Sequence, residues 1–419
     1  MISREAPVGT EPRVPKRAGL WAPFGFRDFR LLWSGLLVSN VGTWMQITTL
    51  GYFVVHLAAT PALASLYTGL LGLSVAIPVF TLSPLAGAIA DRVPRRRILL
   101  VTNAVLVAVA LALAVLSTSG RLTLALVLGI SVVRAAAAAF DSPARQSWVS
   151  LIVPRESLGS AIGLNSIAFN APSVVGPPIA GLLIIWTGVG SAFYVNAIST
   201  LAVIAAVFAM HPVPPSTTKR EPVLRSIWAG ITFLATHRIL RSVVIVLLAT
   251  SALVRPYAQM LPAYAAHVVH VDARGLGWLL ASSGSGAILG SLLTAIVGSR
   301  KRGTIWFASA VAMSLAAIAL GATRSFGGAV LILIVMGMSV MSFAGSSNVL
   351  LQTLAPDEMR GRALSVFSMV ILGLVPLGAL ILGTIGSMFG LSGATLGGGL
   401  VALAIALFAF ARNPELRSV

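Results

Sequence analysis

Apolar residues run along this chain in long blocks separated by short polar breaks. Within a block they follow one another without the alternation of a half-buried strand. About 20 consecutive apolar residues suffice for a helix to cross the hydrocarbon of a bilayer. Lipid offers the backbone no hydrogen bonds, so a spanning chain must be helical or close into a barrel. Unbroken runs select helices. The pattern predicts twelve spans, at 31–55, 65–89, 98–116, 122–140, 159–187, 191–210, 242–266, 276–298, 304–320, 328–350, 363–389 and 393–410. The expected fold class is an all-α membrane protein.

The breaks set the organisation. Residues 1–30 read as a polar tail, ending in an amphipathic entry, Phe24-Gly-Phe-Arg-Asp-Phe-Arg30, whose rings suit the interface while Arg27 and Arg30 face water. Residues 211–241 divide the chain near its middle. Pro212, Pro214 and Pro215 mark a linker, and 223–240 then places Leu224, Ile227, Trp228, Ile231 and Leu234 at helical spacing among basic residues. That pattern predicts a helix lying on the membrane surface. Two six-span bundles result, 31–210 and 242–411, with a short tail at 412–419. Of 29 Lys and Arg, the loops on one side hold only Arg121, Arg274 and Arg324, and Arg134 and Arg255 lie inside spans. The other side holds the rest, which puts both termini in the cytoplasm of a cell-membrane protein.

The bundles repeat. Val153-Pro-Arg-Glu-Ser-Leu-Gly-Ser-Ala161 matches Ala355-Pro-Asp-Glu-Met-Arg-Gly-Arg-Ala363 at an offset of 202 residues. The same offset carries Gly176 onto Gly378 and Gly181 onto Gly383. Arg95–Arg97 has a basic counterpart at Arg300–Arg302, with Ile296 where an acid would stand. A repeated half is the layout of secondary transporters, whose substrate site lies between the repeats near the midplane.

Composition narrows the function. The chain is 57% hydrophobic and 10% charged, with a mean hydropathy of +0.95. A net charge of +18 invites a nucleic-acid reading, but the cations sit in clusters between spans and serve topology. There is no Cys, and the five His show no metal-ligand spacing. Nucleotide-binding and hydrolase motifs are absent, so no enzyme, no cofactor and no ATP drive is expected. All eleven acids fall in tails, loops or span ends.

One loop concentrates charge: Gly87-Ala-Ile-Ala-Asp91-Arg92-Val-Pro-Arg95-Arg96-Arg97, between spans two and three. It resembles the G-x-x-x-D-R-x-x-R-R-R signature of the major facilitator superfamily, with Pro94 where the common pattern has glycine. Phe26-Arg-x-Phe-Arg-Leu-Leu-Trp33, Ser39-Asn-x-Gly-x-Trp-Met45 and Leu354-Ala-Pro-Asp-Glu-x-Arg-Gly-Arg362 are most similar to its bacterial secretion-effector group, which includes siderophore and macrolide exporters. The resemblance implies two pseudo-symmetric six-helix bundles working by alternating access. It implies a gate latch at Gly87, Asp91, Arg92 and Arg95, in which Asp91 meets the positive end of span eleven. Asp141, at the end of span four, is the expected partner of Arg95. Gly176, Pro177 and Gly181 resemble the antiporter motif of exporters, though helix packing explains them nearly as well.

The remaining candidates are polar residues within spans. Arg134 matches the span-four arginine that the superfamily links to proton coupling or anionic substrates; the alternative is a structural pair with Asp141. Arg255, followed by Pro256 and Tyr257, suggests a broken span with both side chains at a cavity; the alternative is an arginine reaching for the surface. Asn40, Thr43 and Gln46 share one side of span one beside Trp44. Cavity lining and polar glue between helices explain that stripe equally. The reading is an exporter of small amphipathic molecules, with the bilayer and a small-molecule substrate as partners. Proton coupling follows from the resemblance, and the missing acid within the bundle weakens it. An importer, a lipid flippase and a non-transporting sensor are the alternatives.

Overall fold

The computed structural model describes residues 19–211, 223–296, 302–413 and 415. Within these, the surroundings of 83, 84, 87, 88, 90–92, 147, 150, 155, 223–227, 295, 357 and 372 are outside the description. The tail before residue 19, the linker prolines and the cluster at 300–301 lie outside it too, as do Gly87, Asp91 and Arg92 of the expected latch beyond their place in a helix.

Fifteen α-helices follow in chain order among the described residues: α1 Arg27–His56, α2 Pro61–Arg92, α3 Arg95–Thr118, α4 Leu124–Ile152, α5 Leu158–Thr187, α6 Val189–Ala209, α7 Val223–Thr236, α8 Arg238–Leu253, α9 Tyr257–His267, α10 Ala273–Ile296, α11 Arg302–Ala322, α12 Phe326–Leu354, α13 Asp357–Met369, α14 Val375–Phe389 and α15 Leu391–Arg412. Several starts are written in the sequence. Thr60 accepts from the amide of Leu63 ahead of Pro61, Thr123 caps α4 through Leu126, and Ser325 caps α12 through Gly328. Gly188 joins α5 to α6 at φ +85° and Gly390 joins α14 to α15 at φ +79°. Both lie where only glycine is unstrained, and they stand at the same 202-residue offset as the repeat.

The structure corrects two expectations and locates a third feature, the break suggested by Pro256. The span at 242–266 is two helices, α8 and α9, separated by Val254–Pro256. Pro256 has no amide to donate, and the amide of Arg255 reaches back to the carbonyl of Thr250 at 2.9 Å. The span at 363–389 begins at Asp357 and is interrupted by a π-turn, Val370–Leu374, ahead of Pro376. The fourth span, expected to end at 140, continues to Ile152 with Pro143 inside it. Packing overrides that proline: Ala144, Trp148 and Val149 join Phe29, Leu32 and Leu36 of α1 and Ile98 and Leu99 of α3 in one core cluster.

Among the described residues, ten helical segments are long and apolar enough to cross a bilayer, with α8 and α9 counted together. α1 is as long but more polar, because Ser39, Asn40, Thr43, Gln46, Thr48 and Thr49 lie along it. α14 is a shorter apolar helix. The result is an all-α multi-span membrane fold.

α1 packs against α5 and α6, α3 against α4 and α6, and α2 against α4. Later in the chain, α10 packs on α12, α11 on α12 and α15, and α8 on α15. α7 covers α13, with Gly230 against the carbonyl of Arg362. Two long seams join the earlier helices to the later ones, α2 along α14 and α5 along α10. The repeated glycines build them. A Cβ on Gly181 would stand 2.4 Å from the carbonyl oxygen of Ala273, and one on Gly383 would stand 2.5 Å from that of Ser65. Gly277 against Pro177 and Gly69 against Gly383 continue the same seams. These contacts lie toward the end of the molecule that carries the turns at 57–60, 188, 268–272 and 390.

At the opposite end, arginines close helix C-termini. Arg27 and Arg96 donate to the carbonyls of Ala209 and Phe208 at 3.0 and 2.9 Å, and Arg238 donates to that of Arg412 at 3.1 Å. Cations there oppose the negative end of the helix dipole.

Candidate functional site: a polar cavity among α1 to α6

A cavity of about 560 Å³ opens among the first six helices. α1 contributes Asn40, Thr43 and Gln46, α3 Asn103, α4 Arg134, Asp141 and Arg145, α5 Phe169 and α6 Asn196. Apolar wall comes from Leu36, Val75, Val79 and Leu106. Polar donors, a cation and apolar surface therefore share one space of ligand size.

Each polar group has a distinct environment. Asp141 is 7% exposed. It accepts hydrogen bonds from Thr102 at 3.1 Å and Asn103 at 2.9 Å and faces a guanidinium nitrogen of Arg145 at 3.6 Å. Arg145 lies 4.8 Å over the ring of Phe169. Asn196 donates to Gln46 at 2.6 Å and keeps its own buried Oδ1 without a partner. Asn40 donates to the carbonyl of Ala168 at 2.9 Å and Thr43 to that of Ser39 at 3.0 Å. The Nε of Arg134 is buried with no partner. A buried, unsatisfied donor on a cation is costly to keep, and such groups within spans mark substrate or ion paths.

The sequence-predicted residues divide accordingly. Asn40, Thr43, Gln46, Arg134 and Asp141 come together. Trp44 does not line the cavity; its Cβ stands against Gly176 in the packing of α1 on α5. The ion-pair partner of Asp141 is Arg145, not the expected Arg95, and the alternative pair of Arg134 with Asp141 is also not formed. Arg95 itself is buried at the start of α3. Arg145, read as a loop residue, lies within α4. The spacing of Arg134, Asp141 and Arg145 repeats one helical face and carries the signal that finds it. Asn103 and Thr102, which hold Asp141, carry no such signal, because their role depends on which helix α3 meets.

Arg255 and Tyr257 lie outside this cavity, at the break between α8 and α9. Arg255 has a buried guanidinium nitrogen without a partner, and the Oε1 of Gln259, one turn on, is likewise buried and unpaired. Tyr257 is 6% exposed and its hydroxyl shares a hydrogen bond with Ser283 of α10 at 2.5 Å. Among the described residues no group of His, Asp or Glu could hold a metal ion.

Comparison with known proteins places this geometry in context. The profile of the family described as transmembrane secretion effector matches residues 18–418. The multidrug efflux pump Tap of Mycolicibacterium fortuitum is 24% identical over 347 residues, 78% of this chain and 82% of that protein. Macrolide efflux protein A of Streptococcus pyogenes is 22% identical over 365 residues, 84% of this chain and 88% of that protein. Among solved structures, a bacterial homologue of the lysosomal transporter Spinster, inward-facing and unoccupied, superposes with a TM-score of 0.74 at 14% identity, covering 94% of this chain and 99% of that one.

Proposed function

Because the chain belongs to the transmembrane secretion effector family of major facilitator transporters, we propose that it exports small amphipathic molecules. The chain is a secondary-active transporter that moves small molecules by alternating access, and not an enzyme. Export is the finer reading. The observation that carries it is the cavity among α1 to α6, where apolar walls meet the unsatisfied Arg134 and the Asp141–Arg145 pair. Such a lining suits neutral or anionic compounds with apolar bodies better than cations. The two relatives are efflux proteins, which favours the outward direction.

On this reading the chain crosses the membrane twelve times in two six-span bundles, α1–α6 and α8–α15, with α7 and both termini cytoplasmic. The glycine seams then close the outer end, as in an inward-facing state. Arg134, Asn40, Thr43, Gln46, Arg255 and Tyr257 serve substrate or coupling. Gly176, Pro177 and Gly181 serve as packing surfaces, and Trp44 supports α1 from the side. Gly87, Asp91, Arg92 and Arg95 form the cytoplasmic latch. Asp141, which faces Arg145 in the cavity, is the coupling acid.

Purified protein in liposomes, loaded with macrolide and siderophore candidates, tests the proposal. Outward flux relative to the cytoplasmic face, driven by an imposed pH gradient, is the expected result. Uptake against that direction makes the chain an importer, and saturable binding without flux makes it a sensor.

A further inference from the structure

A second built feature lies away from the cavity and the seams. A groove of about 580 Å³ runs between the start of α8 and the end of α15. Ile245, Ala404 and Phe408 wall it, and Arg238, Arg241 and Arg412 stand around it. Ile245 and Phe408 are 46% and 61% exposed, so the apolar wall opens to the outside of the protein. The two helices are fixed beside it, since Asn413 donates to Ser242 at 2.7 Å.

Two of the three cations are held beside the groove. Arg238 is bonded to the carbonyl of Arg412, and the guanidinium of Arg412 lies 4.7 Å over the ring of Phe408. Among the described residues no carboxylate forms an ion pair with any of the three. The first half of the chain solves the same problem differently. There Arg27 caps α6 as Arg238 caps α15, but Asp28 stands 3.7 Å from Arg27 and 3.1 Å from His211. Ile239 follows Arg238 where Asp28 follows Arg27. Among the described residues, the second half has the cations of this arrangement and no carboxylate paired with them.

We propose that the groove binds an anionic phospholipid, whose phosphate takes the place that Asp28 fills in the first half. Guanidinium groups match phosphate oxygens in charge and geometry. Basic pockets between membrane helices recognise anionic headgroups in this way. The apolar wall distinguishes a lipid from a free anion, because Ile245, Ala404 and Phe408 give an acyl chain a seat that phosphate alone does not need.

The test uses the full chain in detergent, titrated with dioleoyl phosphatidylglycerol or dioleoyl phosphatidylcholine and read by native mass spectrometry. Phosphatidylglycerol should bind in preference to phosphatidylcholine and resist displacement by excess inorganic phosphate. The triple variant R238Q/R241Q/R412Q should lose affinity for phosphatidylglycerol by on the order of a hundredfold. A404W keeps all three charges and fills the acyl seat, so it should weaken phosphatidylglycerol binding as well; it decides the matter if the triple variant does not fold. Equal binding of the two lipids, displacement by phosphate, or full affinity in A404W or in the triple variant would overturn the proposal.

Discussion

Gly181 on α5 presses against the carbonyl oxygen of Ala273 at the start of α10, with 2.4 Å left for a Cβ. Real side chains essentially never approach that closely, so a larger residue must push the helices apart. Gly181→Leu should therefore open the seam between α5 and α10. Transport should fall at least tenfold, the scale that 1.4 kcal/mol of misplaced equilibrium produces, while membrane insertion is unchanged. The chain has no Cys, so a single cysteine introduced at Ser173, which faces Gly284 in the same seam, can report the opening. Faster maleimide labelling of that cysteine in the leucine variant is expected. Labelling and flux unchanged from the parent would show that the seam does not move.

That contact also shows what the sequence holds. Gly176, Gly181, Gly378 and Gly383 repeat at one offset, and their contacts repeat with them: Gly176 meets α1 and Gly378 meets α8, while Gly181 and Gly383 make the two seams. The long apolar runs were equally legible, because they depend on neighbours in the chain. What was not legible depends on neighbours in space. The apolar run stops at Phe140, and only the packing of Trp148 shows that the helix continues through Pro143 and Arg145. The partner of Asp141 is not legible either, because Arg95 and Arg145 are equally plausible cations until the register of α3 on α4 is fixed.

Arg134 offers a separation of stability from function. Its Nε is buried without a partner, and an unsatisfied buried donor costs about 1–3 kcal/mol, more when charged. Arg134→Met keeps much of the volume and removes that cost. The variant should melt a few degrees higher, since about 1 kcal/mol shifts the midpoint by ~2–4 °C in a large domain, and should lose transport. A thermal-shift assay in detergent beside a liposome flux assay checks both. A less stable variant with normal flux would make Arg134 a structural residue.

The Asp141–Arg145 pair is open to a double-mutant cycle. Asp141→Asn keeps an oxygen for Thr102 and Asn103 and removes only the charge that faces Arg145 at 3.6 Å. With both side chains about one-tenth exposed, coupling to Arg145→Gln of about 0.5–3 kcal/mol in unfolding free energy is expected. Flux through Asp141→Asn should persist down a substrate gradient and no longer respond to a pH gradient. A pH response equal to that of the parent would remove Asp141 from coupling.

Arg255 sits where α8 gives way to α9, held by an irregular backbone rather than by a side-chain partner. Pro256 and the bond from the Arg255 amide to Thr250 fix the break, and neither depends on the guanidinium. Arg255→Gln should therefore leave expression and the α8–α9 geometry intact. If the charge meets substrate, KM for an anionic substrate should rise several-fold, while a neutral one is little affected. If it instead supports the movement of the break, kcat should fall equally for both. Arg255→Lys separates these further, because it restores charge without the planar fork. Kinetics identical to the parent for anionic and neutral substrates in both variants would exclude Arg255 from the transport path.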